Sequence, residues 1–198
     1  MRGGSSKCWV LRGSDLPSDR VDRGALISRL FGSPDPAQTD GVGGATPTTS
    51  KVIVVDAEAS GDGAVLYEFG QVVVDEARVE WLSNCGNCAT ALGLYAAQEG
   101  LEIVTGSRVE ARLVNTITGL ELETGVELQD GAVPNEGSAF VAGVLHPGVG
   151  ISLRFSAKSW TTPGGALLPT GHARAEKRRP RLDRAGDAPA QGVSVSPQ

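Results

Sequence analysis

The segment from Ser83 to Cys88 combines thiol, amide and hydroxyl side chains where two sequence patterns meet. Residues 71–74 and 77–82, upstream of it, are rich in β-branched residues and partly alternate, which predicts extended chain. Residues 88–99, downstream, are rich in Ala and Leu and are followed by Gly100, which predicts a helix with a glycine at its end. The sequence therefore places Cys85 at a helix N-terminus.

Cys85 is a candidate reactive thiol because of this position. The unpaired N–H groups and the positive end of a helix dipole stabilise a thiolate and attract anions. Most free cysteines are simply buried, and an Asn at a helix start is often only a cap. Here Asn84 and Asn87 flank the small Gly86, which leaves room for a ligand to approach the backbone, so the segment favours a site.

Lys51 is the second residue that could carry chemistry. A loop rich in Pro and Gly, residues 33–49, leads through Ser50 and Lys51 into the apolar strand 52–55. This is not a phosphate-binding P-loop, because the lysine does not follow a glycine or open a helix. A lysine at the edge of an apolar strand is partly desolvated and can act as a base. An exposed lysine is the commoner case, so this role requires a partner nearby.

The first six residues contain two glycines and two serines before a strand that starts near Lys7. Such a segment can present N–H and O–H donors to a carboxylate or phosphate. Composition alone favours a flexible terminus over a built site.

The remaining patterns predict a second helix and several strands. Ser18 is the expected N-cap of a helix that ends at Gly32, with Leu26, Ile27, Leu30 and Phe31 on one apolar face. Strands are predicted at 101–104, 107–114, 121–128, 143–145 and 150–155, and residues 115–119 form a turn between two of them. Many strands with two helices predict an α+β fold, in which the longer helix lies across or inside a curled antiparallel sheet.

Length and composition indicate one globular domain with a tail. The chain has 198 residues, of which 40% are hydrophobic and 27 are glycine. No apolar run is long enough to span a bilayer, and the first residues lack the apolar segment of a signal peptide. Three cysteines argue against a disulfide framework. We therefore expect a cytoplasmic protein with no membrane partner.

Charge divides the chain near residue 171. The net charge is −5, but basic residues outnumber acidic ones in residues 172–198. This tail is rich in Pro, Ala and Arg and has few apolar residues, so it is predicted to be disordered. Without interleaved aromatic residues it is not expected to bind nucleic acid.

Several segments together resemble the PrpF family of isomerases, whose members act on methylaconitate, methylitaconate and oxalomesaconate. They occur in family order over residues 1–171, and each is short. The segments are residues 1–7, 16–20, 30–35, 43–44 with 49–52, Asn84 to Asn87, Asn115 and Thr116 with Thr118 and Gly119, and residues 167–171.

The resemblance implies a diaminopimelate-epimerase-like fold and isomerisation of a small unsaturated di- or tricarboxylic acid, by a cis–trans change or a 1,3-proton shift. Lys51 would be the proton-transferring base and Cys85 the second catalytic group. Helix N–H groups would hold the developing enolate-like charge, with no metal or redox cofactor. The implied substrate-binding residues are Ser5, Ser6, Asn84, Gly86, Asn87, Asn115 and Thr116.

The sequence also departs from the family. PrpF members are much longer and contain a second, similar domain, with the active site between the two. We therefore expect residues 1–171 to form an N-terminal PrpF-like domain that lacks its second domain or self-associates. Residues 172–198 look like the result of a truncation or a shifted reading frame. Cys8, Cys88 and Ile117 stand where the family pattern differs.

Two other classes of function remain open. The chain could be a non-catalytic domain that binds an anion or a partner through the face where the second domain would dock. It could also be a thiol redox protein that uses the C-x-x-C formed by Cys85 and Cys88, although that motif stands mid-chain in strand-rich sequence. A zinc site is not expected, because the cysteines and histidines lack the usual paired spacing.

Overall fold

The computed structural model describes residues 1–56, 64–101 and 103–155, with the side chains of 103–105 left out. These residues form an α+β fold with nine strands and two α-helices. The elements are β1 (Arg2–Gly3), β2 (Ser6–Arg12), α1 (Arg20–Phe31), β3 (Lys51–Asp56), β4 (Ala64–Val72), β5 (Val79–Glu80), α2 (Gly86–Gln98), β6 (Ile103–Thr105), β7 (Arg108–Asn115), β8 (Glu121–Glu127) and β9 (Ile151–Phe155).

The sheet is mixed, so the expectation of a wholly antiparallel sheet is wrong. The strand order is β1-β2-β3-β4-β7-β8-β9, with β5 beside β4 and β6 beside β7. Strands β2 and β3 are parallel, as are β4 and β7, whereas the other pairs are antiparallel. The physical reason is connectivity, because each parallel pair is joined through a segment that contains a helix and returns the chain to the same end of the sheet.

Helix α2 lies inside the curl of this sheet. It contacts β1 and β2 near one end of the strand order and β7, β8 and β9 at the other. Neighbouring strands lie about 4.8 Å apart, so a flat sheet could not bring both ends to one helix. The expected helix within a curled sheet is therefore confirmed. The largest core cluster joins α2 to the concave face through Leu92, Ala96, Ile53, Phe69 and Leu113.

The convex face of the sheet carries α1. Ile27 and Phe31 of this helix pack with Val52 and Val54 of β3 in a second cluster. Strand β3 is thus buried on both faces, which explains its unbroken run of Ile and Val residues. The predicted apolar face of α1 is only half right, because Leu26 and Leu30 remain 44% and 41% exposed.

The first six residues form a hairpin and not the flexible terminus favoured by composition. β1 pairs with β2, and the turn passes through Gly4, whose φ of 51° suits glycine. The Met1 ammonium donates to the carbonyl oxygen of Cys8 at 2.7 Å and the Cys8 N–H donates back to Met1 O. The hairpin is therefore tied to the sheet from its first residue.

Several element boundaries differ from the sequence prediction. Asp19, not Ser18, caps α1, because its carboxylate accepts the N–H groups of Val21 and Asp22. Residues 143–145 form a turn, with Gly143 at a φ of 80°, and not a strand. Val73 lies beyond β4, and only Val79–Glu80 of residues 77–82 is a strand.

Two sequence predictions lie outside the described residues. These are the motif at 167–171 and the disordered tail at 172–198, so the domain boundary remains a prediction. Among the helices that the structure describes, none is long and apolar enough to cross a membrane.

Candidate active site

Cys85 caps helix α2, as the sequence predicts. Its backbone is extended, with φ −136° and ψ 105°, and its sulfur accepts the N–H of Cys88 at 3.4 Å. Its carbonyl oxygen accepts the N–H of Ala89. An α-helix leaves its first N–H groups without intrahelical acceptors, and in α2 the first two residues, Gly86 and Asn87, follow the thiol directly.

The surroundings of Cys85 favour its thiolate. A hydrogen bond from the Cys88 thiol is the largest cause that lowers the pKa of Cys85 to about 6, against the opposing effect of burial. The Cys88 N–H, the charge of Lys51 and the Ser6 hydroxyl act in the same direction. These surroundings therefore favour the thiolate form of Cys85 over the thiol at neutral pH.

Three thiols converge on this point, and only one of them holds the negative charge. Cys8 and Cys88 are buried, and hydrogen bonds to Cys8 and Cys85, followed by burial, raise the pKa of Cys88. A hydrogen bond from Cys88 also lowers the pKa of Cys8, but Cys88 has a single S–H proton to donate. Cys85 additionally receives a backbone N–H and is partly exposed, so we assign the thiolate to Cys85.

Lys51 lies on the same face of the sheet as these thiols. Its register partners are Cys8 on β2 and Gln71 on β4, and residues paired across a sheet point to the same face. Lys51 Nζ donates to Gln71 Oε1 at 2.5 Å and lies 5.4 Å from the centroid of the Phe69 ring. The structure thus supplies the nearby partners that the sequence could not show.

The N-terminal hairpin closes one side of the site. Asn87 Nδ2 donates to Ser5 Oγ at 3.1 Å and to Ser6 Oγ at 3.4 Å. Gly3 lies so close to the helix that an added Cβ would overlap Asn87 O. The serines predicted as substrate-binding residues are therefore held against the first turn of α2.

Asn84 is fixed by the turn after β7. Its Oδ1 accepts Asn115 Nδ2 and Thr118 Oγ1, each at 2.9 Å. Asn115 is fully buried, and its own Oδ1 accepts the N–H groups of Ile117 and Thr118 at 2.9 and 3.2 Å. Asn115 thus holds the Asn84 side chain in place through a hydrogen bond. The family resemblance implied a substrate-binding role for Asn115.

Thr116 is the one predicted residue that the described contacts do not bring to the α2 N-terminus. Its hydroxyl donates to Tyr67 O at 3.4 Å, and the residue lines a cavity of about 550 Å³ with Arg12, Asp56 and Glu99. Because Glu99 follows the last turn of α2, this cavity belongs to the end of the helix opposite Cys85.

Two residues of the site escaped the sequence analysis. Gln71 holds Lys51, and buried Tyr67 lies near enough to Cys85 for the thiolate to raise the pKa of its hydroxyl, an effect smaller than that of burial. A single polar residue in the apolar run around Gln71 was the available signal. Its partnership with Lys51 depends on strand register, which the sequence did not provide.

The arrangement contains the kinds of groups that proton transfer requires. A thiolate and a lysine share one concave face, beside helix N–H groups that can hold a developing negative charge. Within residues 1–56, 64–101 and 103–155, no group of three or more His, Cys, Asp or Glu side chains is arranged to hold a metal ion.

Comparison with known proteins gives the family. The model of the family described as PrpF protein matches residues 1–180. The chain therefore belongs to the PrpF family, in agreement with the resemblance seen in its sequence.

Curated relatives are named as isomerases of small unsaturated acids. The chain is 38% identical over 174 residues to 4-oxalomesaconate tautomerase of Pseudomonas putida, covering 88% of this chain and 48% of the relative. It is 36% identical over 172 residues to 3-methylitaconate isomerase of Eubacterium barkeri, covering 87% of this chain and 45% of the relative. It is also 36% identical over 186 residues to 2-methyl-aconitate isomerase of Shewanella oneidensis, covering 87% of this chain and 46% of the relative.

A solved structure shares the fold. The crystal structure of methylitaconate-delta-isomerase matches with a TM-score of 0.77 at 36% identity, covering 86% of this chain and 44% of that chain. The chain thus spans about half the length of the curated relatives it matches.

Proposed function

We propose that this chain forms half of an isomerase that moves a proton within a small unsaturated di- or tricarboxylic acid of the methylaconitate, methylitaconate or oxalomesaconate type. The observation that carries the proposal is the placement of Lys51 and the Cys85 thiolate on one concave face beside the first turn of α2. A reversible shift needs one group to take a proton and another to return it, and these two side chains supply both.

The neighbouring residues fit the charge of such a substrate. The N–H groups of Gly86 and Asn87, at the positive end of α2, suit a carboxylate or an enolate-like oxygen. The same helix start is contacted by Ser5 and Ser6, which accept hydrogen bonds from Asn87. Asn84 directly precedes Cys85 and is held by the Asn115 side chain, whereas Thr116 has no described contact with this helix start. The reaction so described uses only side chains and backbone of the protein, without a cofactor.

We expect solvent deuterium to enter the shifted carbon when this chain, combined with a separately expressed second half of a relative, is incubated with methylaconitate, methylitaconate or oxalomesaconate in heavy water. Proton NMR measures both isomerisation and exchange. The chain alone is expected to be much slower, because it spans only about half the length of its relatives. Saturable binding of these acids without exchange in either preparation would favour the non-catalytic binding domain, and the proposal would fail.

The chain spans about half the length of its relatives, and it has a candidate docking face for a further domain. Leu82, which lies three residues before Cys85, is 86% exposed, and Phe140 and Leu145 are 75% and 84% exposed. The latter two belong to the segment whose His146 O accepts Arg2 of the hairpin at 3.3 Å. Large exposed apolar side chains beside a site mark an interaction surface. We propose that they contact a second PrpF-type domain, in the two-domain arrangement of the diaminopimelate-epimerase-like fold.

Without that domain the chain is expected to self-associate through the docking face. Sedimentation velocity at several concentrations should show oligomers that shrink when Leu82, Phe140 and Leu145 are changed to Ser. Val21→Ser is the matched control, because Val21 is 79% exposed on α1, on the convex side. A monomer at every concentration would count against an uncovered docking face.

A cytoplasmic location belongs to the same proposal, since a thiolate beside a second thiol requires reducing surroundings, and cell fractionation tests it.

A further inference from the structure

Gln71 is held in one orientation by the backbone around it. Its Nε2 donates to Ser50 O at 2.9 Å, Pro47 O at 3.1 Å and Val72 O at 3.3 Å. Exchanging its oxygen and nitrogen would turn the amide oxygen towards these carbonyl oxygens and the N–H groups towards Lys51. The network therefore fixes Oε1 as the atom that faces Lys51.

The two reacting side chains have opposite surroundings. Lys51 Nζ faces an acceptor, Gln71 Oε1, and the Phe69 ring, both of which stabilise a cation. Cys85 Sγ faces donors, the Cys88 N–H and the first turn of α2, which stabilise an anion. The contacts of the resting site are thus those of an ammonium and a thiolate.

We propose that Gln71 is a positioning residue that holds Lys51 Nζ on the concave face, towards the Cys85 thiolate. The inference rests on the proposed function and deepens it.

The titratable groups facing Cys85 come from four elements. They are Cys88 on α2, Cys8 on β2, Lys51 on β3 and Tyr67 on β4. The Met1 ammonium lies against Cys8. Of these groups, only Lys51 contacts Gln71 through the side chain, so a change at Gln71 reaches Cys85 through Lys51.

The first test needs no isomerase activity. The pH midpoint of Cys85 alkylation by iodoacetamide should lie near the thiol pKa of about 6, and Cys85→Ser removes this reaction. Lys51→Met should raise the midpoint by about half a unit to one unit, since a cation beside the thiolate is lost. Gln71→Leu should give most of the same rise. The double variant should rise little further, because both changes remove one interaction.

Two further variants keep this test decisive. Gln71→Asn retains a polar amide but withdraws it from Lys51 by one methylene, so the rise should persist without a change to an apolar side chain. Gln98→Leu, at the exposed end of α2, is the matched control and should change nothing. A midpoint unmoved by Gln71→Leu and Gln71→Asn, or effects of Gln71→Leu and Lys51→Met that add in full, would overturn the positioning role.

The second test separates this role from the proposed function. When this chain is combined with the separately expressed second half of a relative, Gln71→Leu should lower kcat by about 10- to 100-fold with little change in KM. This is the effect expected for a displaced reacting group. It should also move the acid limb of the pH–rate profile upward with the alkylation midpoint. A higher KM with an unchanged kcat and an unchanged pH–rate profile would indicate a merely structural residue. If alkylation behaves as expected but no PrpF-type acid reacts, the positioning of Lys51 stands and the isomerase proposal falls.

Discussion

Lys51→Ala is expected to reduce the incorporation of solvent deuterium into substrate by about 10²- to 10⁴-fold, the usual cost of losing a positioned proton-transfer group. The side chain is the cation that faces the Cys85 thiolate, and a shorter side chain leaves Gln71 Oε1 without its donor. Proton NMR of the complemented enzyme in heavy water measures the exchange.

Lys7→Ala is the matched control for this variant. Lys7 lies on the neighbouring strand β2, next to Cys8, so its side chain points away from the concave face. Its Nζ donates to Gly43 O at 3.5 Å. Its loss should leave the exchange within about twofold of the parent, as is usual for surface changes. Cys85→Ala should be nearly as damaging as Lys51→Ala, and the double variant little worse, because both act on one step.

An opposite pattern would change the assignment. Full exchange in Lys51→Ala together with its loss in Cys88→Ala would remove the lysine from the reaction and favour the C-x-x-C interpretation. The buried position of Cys88, on the side of α2 that packs into the core, instead suits a donor to Cys85.

The sequence predicted the start of the site because its signals are local. A helix-forming run after Asn84 and Cys85 decides where α2 begins, and the observed cap at Cys85 confirms it. Lys51 and the serines near the N-terminus were also candidates from the sequence, and the family resemblance gave them their expected roles. Their meeting at α2 depends on the parallel pairing of β2 with β3, which places Cys8 beside Lys51.

The remaining features depend on register and direction, which periodicity does not encode. An alternating strand has the same pattern in a parallel and in an antiparallel pair, so the mixed sheet was missed. Gln71 is polar but its role arises only because it stands opposite Lys51. The observed N-cap of α1 is Asp19, one residue after the predicted Ser18. This difference lies within the usual uncertainty of helix ends.

The position of Cys85 also depends on how closely α2 approaches the sheet, and Gly93 sets that approach. Gly93 lies in the middle of α2, where an added Cβ would overlap Thr124 Oγ1 and lie 3.0 Å from Thr124 Cβ. Thr124 is a buried residue of β8 and belongs to the sheet face that α2 covers. A larger residue at position 93 therefore pushes the helix away from β8.

Gly93→Ala is expected to lower the free energy of unfolding by about 1–3 kcal/mol, because overpacking outweighs the helix propensity of alanine. Gly24→Ala is the matched control in α1, where the added Cβ would lie 4.0 Å from Trp81 Nε1. It should stabilise the protein by about 0.5–1 kcal/mol. Urea denaturation followed by circular dichroism measures both. Thr124→Ala should restore most of the loss in the double variant, since it removes the overlapping atoms. Equal stabilisation by Gly93→Ala and Gly24→Ala, or no recovery with Thr124→Ala, would contradict the close packing of α2 on β8. The alkylation midpoint of Cys85 should rise in Gly93→Ala and return in the double variant, because a displaced helix carries the thiolate away from Lys51.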